Sequence, residues 1–218
     1  MEDAASVPVQ WMLLPPAAAA GGRGVFAGPA ATCRLVADFE VCVIGIQGDA
    51  ERDHARQAIR EAIVAALGQL SGLPPERIVL RAEPGVPPYA VLDAPSGPRR
   101  AWLAISHDGA LSVAAISLQG EVGIDVTQVA NAAAFPDWEA VARDFLGPEV
   151  AAALAPLPPD ERMLAFARAW TEREARLKYL GRELVEWSEE GDAPLGASRC
   201  LALALPDGYV GALVLPPS

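Results

Sequence analysis

Apolar residues in this chain recur with two periods, and the way the periods alternate predicts an α+β protein. Within residues 51–70, Ile59, Ile63, Leu67 and Leu70 fall on one face of a 3.6-residue repeat, which predicts a helix closed by Gly72, Pro74 and Pro75. Residues 160–181 predict a second, longer helix. It has no Pro inside and no Gly before Gly181, good helix formers dominate it, Pro158 and Pro159 precede it, and Gly181 stands at the C-cap. Its apolar positions are Leu164, Ala167, Ala175 and Leu177, with Phe166 and Trp170 beside them. Shorter helices are expected over residues 137–145, opened by Pro136, and from Pro148 or Glu149.

The remaining apolar runs have strand length. Residues 41–46 form an unbroken run rich in β-branched residues, consistent with a buried strand, and residues 77–81 are a shorter candidate. Residues 101–106 and 111–117 read as two strands joined by a turn at His107–Asp108–Gly109–Ala110, and residues 121–126 as a third, which together make an antiparallel meander. Residues 200–205 and 209–215 form a final pair around Pro206–Asp207–Gly208. Residues 83–97, 130–134 and 187–198 read as loops. Near the start, a short extended piece around Trp11 precedes a loop over residues 21–28, and Asp49 is a candidate cap. Both halves thus carry a helix and several strands, which permits two similar lobes divided near residues 117–120.

Composition narrows the function classes. The chain has 218 residues, is 52% hydrophobic, and carries a formal net charge of −11. That charge excludes a general nucleic-acid binder, which needs a basic field. One local concentration of five Arg and one Lys lies between Arg162 and Arg182. Three cysteines, Cys33, Cys42 and Cys200, without C-x-x-C spacing argue against a disulfide framework or a zinc knuckle. The apolar stretch after Trp11 lacks a basic flank, is broken by Pro15 and Pro16, and is too short to span a membrane. A cytoplasmic protein without a membrane partner is the expectation.

Three places draw attention as chemistry. Asp125 interrupts an apolar strand, where Asp is uncommon; it either caps a strand end or serves a site. Ser106 and His107 sit at the expected hairpin turn, where a His is commonly just solvated. Trp170, Glu174 and Lys178 stand at i, i+4 and i+8 along roughly 12 Å of helix. Glu174 and Lys178 are either a structural ion pair or an acid and base along one reaction coordinate.

Taken jointly, these segments resemble the Sfp-type 4′-phosphopantetheinyl transferases. The resemblance rests on ISHDG at Ile105 to Gly109, GIDV at Gly123 to Val126, RDFLGPE at Arg143 to Glu149 and WTEREARLK at Trp170 to Lys178, in that order and spacing. It covers residues 85–181 and the final strand pair. It implies two pseudo-symmetric lobes, residues 1–118 and 119–218, each a helix packed on an antiparallel sheet, in a monomer with the site in the cleft. It also implies transfer of 4′-phosphopantetheine from coenzyme A to a serine of an acyl or peptidyl carrier protein, with Mg²⁺, releasing 3′,5′-ADP. By the same resemblance Asp125 and Glu174 bind the metal and Glu174 is general base on the carrier serine. Lys178 meets the phosphates and assists the leaving group, and Ser106 and His107 contact the phosphates of coenzyme A. Trp170 is expected to pack and fix the helix.

Departures from the family pattern are few. Thr127 stands where many members have a second carboxylate, so a water or the Thr hydroxyl would complete the metal shell. Val86 replaces a phosphate-binding lysine, for which Arg81, Arg99 or Arg100 would compensate. Arg173 replaces a lysine, and Glu183 stands where the family often has Gly. Thr127 and Val86 motivate an alternative, a non-catalytic homologue that binds coenzyme A or carrier protein. Carrier docking is expected near residues 135–138 and the helix at 137–145.

Overall fold

The computed structural model describes residues 6–11, 34–36, 39–48, 52–132 and 137–217. The expected loop at 21–28, the Asp49 cap and the docking residue Phe135 lie outside these. In chain order the elements are β1 (Val7–Pro8), β2 (Gln10–Trp11), β3 (Arg34–Val36), β4 (Phe39–Gln47), α1 (Arg52–Ser71), β5 (Ile78–Arg81), β6 (Tyr89–Ala94), β7 (Gly97–Asp108), β8 (Leu111–Ser117) and β9 (Gly123–Gln128). Then follow α2 (Val129–Ala132), α3 (Trp138–Val141) with a π-helical turn over Ala142–Leu146, α4 (Pro148–Leu154), α5 (Pro159–Tyr179), α6 (Glu189–Asp192), β10 (Arg199–Ala204) and β11 (Tyr209–Leu215).

The strands form two sheets. The larger runs β2-β4-β8-β7-β6-β5, with β3 also paired to β4; the smaller runs β1-β10-β11-β9. Both are antiparallel except for the β2–β4 and β1–β10 pairs. The sheets pack face to face. Val41, Val43, Val113 and Ala115 of the larger meet Ile124, Val126, Leu213 and Leu215 of the smaller in one buried cluster. Helix α1 covers the outer face of the larger sheet, seating Ile59, Ile63 and Leu67 on Ile44, Leu92, Leu103 and Ile116. Each such fully buried side chain contributes roughly 1.5–3 kcal/mol relative to exposure. Helix α5 covers the smaller sheet, with Ala175 against Ala212 and Val214. A helix on one side and a sheet on the other explain why β4 and β8 read as unbroken apolar runs. The protein is therefore α+β, with one long helix on each sheet.

Several boundaries differ from the sequence expectation. The stretch 83–97 is not all loop: β6 pairs with both β5 and β7. Flanking prolines at 87, 88 and 95 mask its Tyr89-Ala90-Val91-Leu92 alternation. His107 is not in the turn; it lies within β7 opposite Ser112, and Gly109 and Ala110 alone make the turn. Residues 130–134 begin within the short helix α2, the expected helix at 137–145 is α3 plus the π-helical turn, and α6 lies inside the expected loop 187–198. Val7–Pro8 joins the smaller sheet against Leu203–Ala204, so β1 and β2 belong to different sheets. Among the described residues no helix is long and apolar enough to cross a membrane.

Candidate active site

Strand β9 is the free edge of the smaller sheet and lies against β7 of the larger. Its alternation sends Ile124 and Val126 into the inter-sheet core and leaves Gly123, Asp125 and Thr127 for the other side. Gly123 is there because α5 lies directly on it: a Cβ would meet the Ala175 carbonyl oxygen at 2.0 Å and the Tyr179 amide nitrogen at 2.8 Å. That contact brings Glu174 and Lys178, which flank Ala175 on α5, to the buried Asp125. The helix ends in a double hydrogen-bonded cap, with Gly181 N–H to Lys178 C=O and Arg182 N–H to Leu177 C=O. Gly181 takes φ +64°, a left-handed conformation that favours glycine.

Three elements converge on Asp125. Ser106 of β7 donates from Oγ to Asp125 Oδ1 at 2.7 Å. Lys178 Nζ donates to the same oxygen at 2.6 Å and to Ser106 Oγ at 3.2 Å. The Val126 N–H also donates to Ser106 Oγ, at 3.3 Å. Lys178 thus pairs with Asp125, and the ion pair with Glu174 that i, i+4 spacing allows is not the one formed. Glu174 lines the same cavity as Asp125 and Trp170. Burial, followed by the Asp125 charge, raises its carboxyl above the usual carboxylate range, and the Lys178 charge opposes that shift.

These groups line a cavity of about 390 Å³ together with Ile105, His107, Asp108, Thr127, Asn131 and Phe166. Ser106, His107, Asp125, Thr127, Glu174 and Lys178 are therefore brought together. Trp170 packs as expected, stacked on Phe166 at 6.0 Å and edge-on to Phe145 at 5.9 Å, but it also borders the cavity. Asp108 accepts from the Gln128 N–H at 2.6 Å and from Asn131 Nδ2 at 2.7 Å, which pins β9 and α2 to the end of β7.

Arg81 is not brought to the cavity. It ends β5, at the far edge of the larger sheet, and Arg100 instead lies over the Tyr89 ring at 4.3 Å. Arg99 also stands apart. The basic run from Arg162 to Arg182 is mostly committed elsewhere. Arg162 holds the Leu157 carbonyl, Arg176 those of Leu195 and Ser198, and Arg182 that of Gly191. Arg173 is buried, pairs with Asp192 and donates to the Val185 carbonyl.

Arg52, Arg56 and Arg60, which the sequence reading did not single out, line neither cavity but act on His107 through their charge. They sit one turn apart on the exposed side of α1. His107 is held below its ordinary value of 6.5 by burial first and then by Arg56, Lys178, Arg52 and Arg60. Its Nδ1 is 2.7 Å from Ser112 Oγ. The i, i+4, i+8 spacing of the arginines was visible, but nothing in the sequence says that α1 starts beside His107. A second cavity of about 270 Å³ adjoins the first through Ile105 and Lys178; Val86, Pro87, Arg182 and Glu183 border it.

The donor set of the first cavity fits a hard cation. The carboxylates of Asp125 and Glu174, close enough to repel, and the Ser106 and Thr127 hydroxyls are oxygen donors of the kind Mg²⁺ prefers. Among the described residues no three His, Cys, Asp or Glu side chains group as a metal cluster, so any such ion would take its other ligands from water and substrate.

Comparison with known proteins supports the family likeness. Residues 121–195 match the family model of the 4′-phosphopantetheinyl transferase superfamily. A Synechocystis sp. protein named "Putative 4′-phosphopantetheinyl transferase slr0495" is 29% identical over 84 residues, 38% of this chain. The matched stretch spans 33% of that relative's length. The resemblance carried by the four motifs is borne out, and the match takes in β9 and all of α5.

Proposed function

We propose that this chain transfers 4′-phosphopantetheine from coenzyme A to a serine hydroxyl of an acyl or peptidyl carrier protein, with Mg²⁺, and releases 3′,5′-ADP. The observation that carries the reading is the convergence of Asp125, Glu174 and Lys178 with Ser106 and His107 in one cavity; the first three lie inside the stretch that matches the transferase superfamily.

The residues divide the work as follows. Asp125 and Glu174 would hold Mg²⁺, with Thr127 offering its hydroxyl or a bridging water. When bound, that ion neutralises charge on the reacting phosphates. Glu174 accepts the proton of the carrier serine as its oxygen attacks the phosphorus that bears pantetheine. The bond from that phosphorus to the bridging oxygen breaks, and the electron pair leaves with 3′,5′-ADP. Lys178 hydrogen-bonds the phosphates and supports the charge that collects on the leaving group. His107, with the field of Arg52, Arg56 and Arg60 behind it, makes an anion-attracting flank for the remaining phosphate. That flank supplies the positive charge lost at Val86.

We assign the two lobes to residues 1–118 and 119–218, the working state to a monomer and the setting to the cytoplasm, as the family resemblance implies. The test is incubation of an apo carrier protein with coenzyme A, Mg²⁺ and the chain. A carrier mass gain equal to phosphopantetheine is expected, and Glu174→Gln is expected to abolish it while the fold is kept. Unchanged transfer by that variant would remove Glu174 from the chemistry. Coenzyme A binding in calorimetry without any transfer by the wild type would instead identify a non-catalytic binder, the reading that Thr127 motivates.

A further inference from the structure

Asp125 is 2% exposed, so its charge needs a partner inside the protein. Ser106 gives it a hydrogen bond but no charge. The full charge comes from Lys178, whose side chain is 33% exposed and borders both cavities. The carboxylate is thus fixed at depth, while the ammonium sits at the solvent margin on a flexible four-carbon stem. A cation arriving at Asp125 would find an ammonium already 2.6 Å from one of the two carboxylate oxygens.

We infer that Lys178 is an exchangeable counter-ion: it neutralises Asp125 in the empty site and moves to a phosphate when substrate enters, which couples cation binding to phosphate binding. The inference rests on the transferase reading for the identity of both ligands. Its physical content is a change of partner. Lys178 leaves Asp125 at little cost only when a phosphate oxygen replaces the carboxylate, so the metal alone binds weakly and the phosphate tightens it. By linkage the metal tightens phosphate binding by the same factor. Ser106 keeps its hydrogen bond to Asp125 in both states and acts as a positioning residue for that carboxylate.

The test is calorimetric titration of Mg²⁺ alone into the full chain, wild type against Lys178→Met, with thermal melts of both. The Met variant is expected to bind Mg²⁺ at least about tenfold more tightly, since a direct like-charge contact is removed. Without metal it is expected to melt below the wild type, and to regain more on adding Mg²⁺ than the wild type does. Lys178→Arg keeps a cation on Asp125 and is expected to bind Mg²⁺ as weakly as the wild type; it keeps the question decidable if the Met variant fails to fold. Equal or weaker Mg²⁺ binding by the Met variant, or tight binding of the metal alone by the Arg variant, overturns the inference. If the wild type takes up Mg²⁺ with coenzyme A present and the Met variant shows no gain, only the counter-ion role falls. If the wild type binds no Mg²⁺ even with coenzyme A, the metal-dependent transferase reading falls with it.

Discussion

Gly123→Ala puts one methyl group where β9 and α5 touch, and its cost follows from the contacts. The new Cβ would lie 2.0 Å from the Ala175 carbonyl oxygen and 2.8 Å from both the Tyr179 Cβ and its amide nitrogen, whereas ordinary contact begins at 3.4 Å. The obstructing atoms are mainly backbone, so no side chain can swing aside and the helix itself must withdraw by about 1.4 Å. Overpacking of this kind costs about 1–3 kcal/mol, and the immobility of the obstacle places the change near about 3. The same shift carries Glu174 and Lys178 away from Asp125, and misplacement of reacting groups by about 1 Å costs on the order of 100-fold in rate. Urea unfolding monitored by tryptophan fluorescence reads the first effect and carrier modification the second. Gly196→Ala is the control, because a Cβ there meets nothing within 4 Å. A Gly123→Ala protein within about 0.5 kcal/mol of wild type and equally active would refute the claim that α5 is seated by that glycine.

Arg173→Leu leaves Asp192 and the Val185 carbonyl without their buried partner and is expected to lower the urea midpoint by an amount equivalent to about 3 kcal/mol, with partial recovery when Asp192→Leu is added. His107 is held below 6.5, so the unfolded chain binds the extra proton first; its contribution to stability is full above pH 6.5 and is lost as the pH falls from 6.5 toward the lowered folded value. His107→Gln should flatten that limb of the stability–pH curve, and an identical limb in the variant would count against it. Arg56→Glu is expected to weaken coenzyme A binding by about tenfold at low salt, with the difference shrinking as salt is added, as an isothermal titration series would show. Burial, followed by Glu172, pushes the Cys200 thiol up to about 11, so alkylation by iodoacetamide at neutral pH should be far slower than for an exposed thiol.

Family likeness and the candidate residues of the first cavity were legible because each motif is local. Gly123 to Val126 and Trp170 to Lys178 each fall within a single element, and strand or helix periodicity alone tells which of their residues share a face. The two long helices were readable for the same reason. Strand β6 was missed because prolines at its borders look like loop. His107 was placed in the turn because an Asp-Gly signal marks a hairpin without fixing which residues remain paired.

What the sequence determined by itself is the α+β class, the helices over Arg52–Ser71 and Pro159–Tyr179, and the short set of polar residues that line the first cavity. Tertiary structure decided the partners. Lys178 is four residues from Glu174 yet bonds Asp125, 53 positions away, because Gly123 lets α5 rest on β9. Arginines of the same helix that look like a basic patch in sequence are spent on loop carbonyls, and the arginine charges that bear on His107 come from α1, which covers the other sheet. Periodicity reports which face a side chain takes, but the charge it meets depends on which surface packs against that face, and here that surface comes from distant chain.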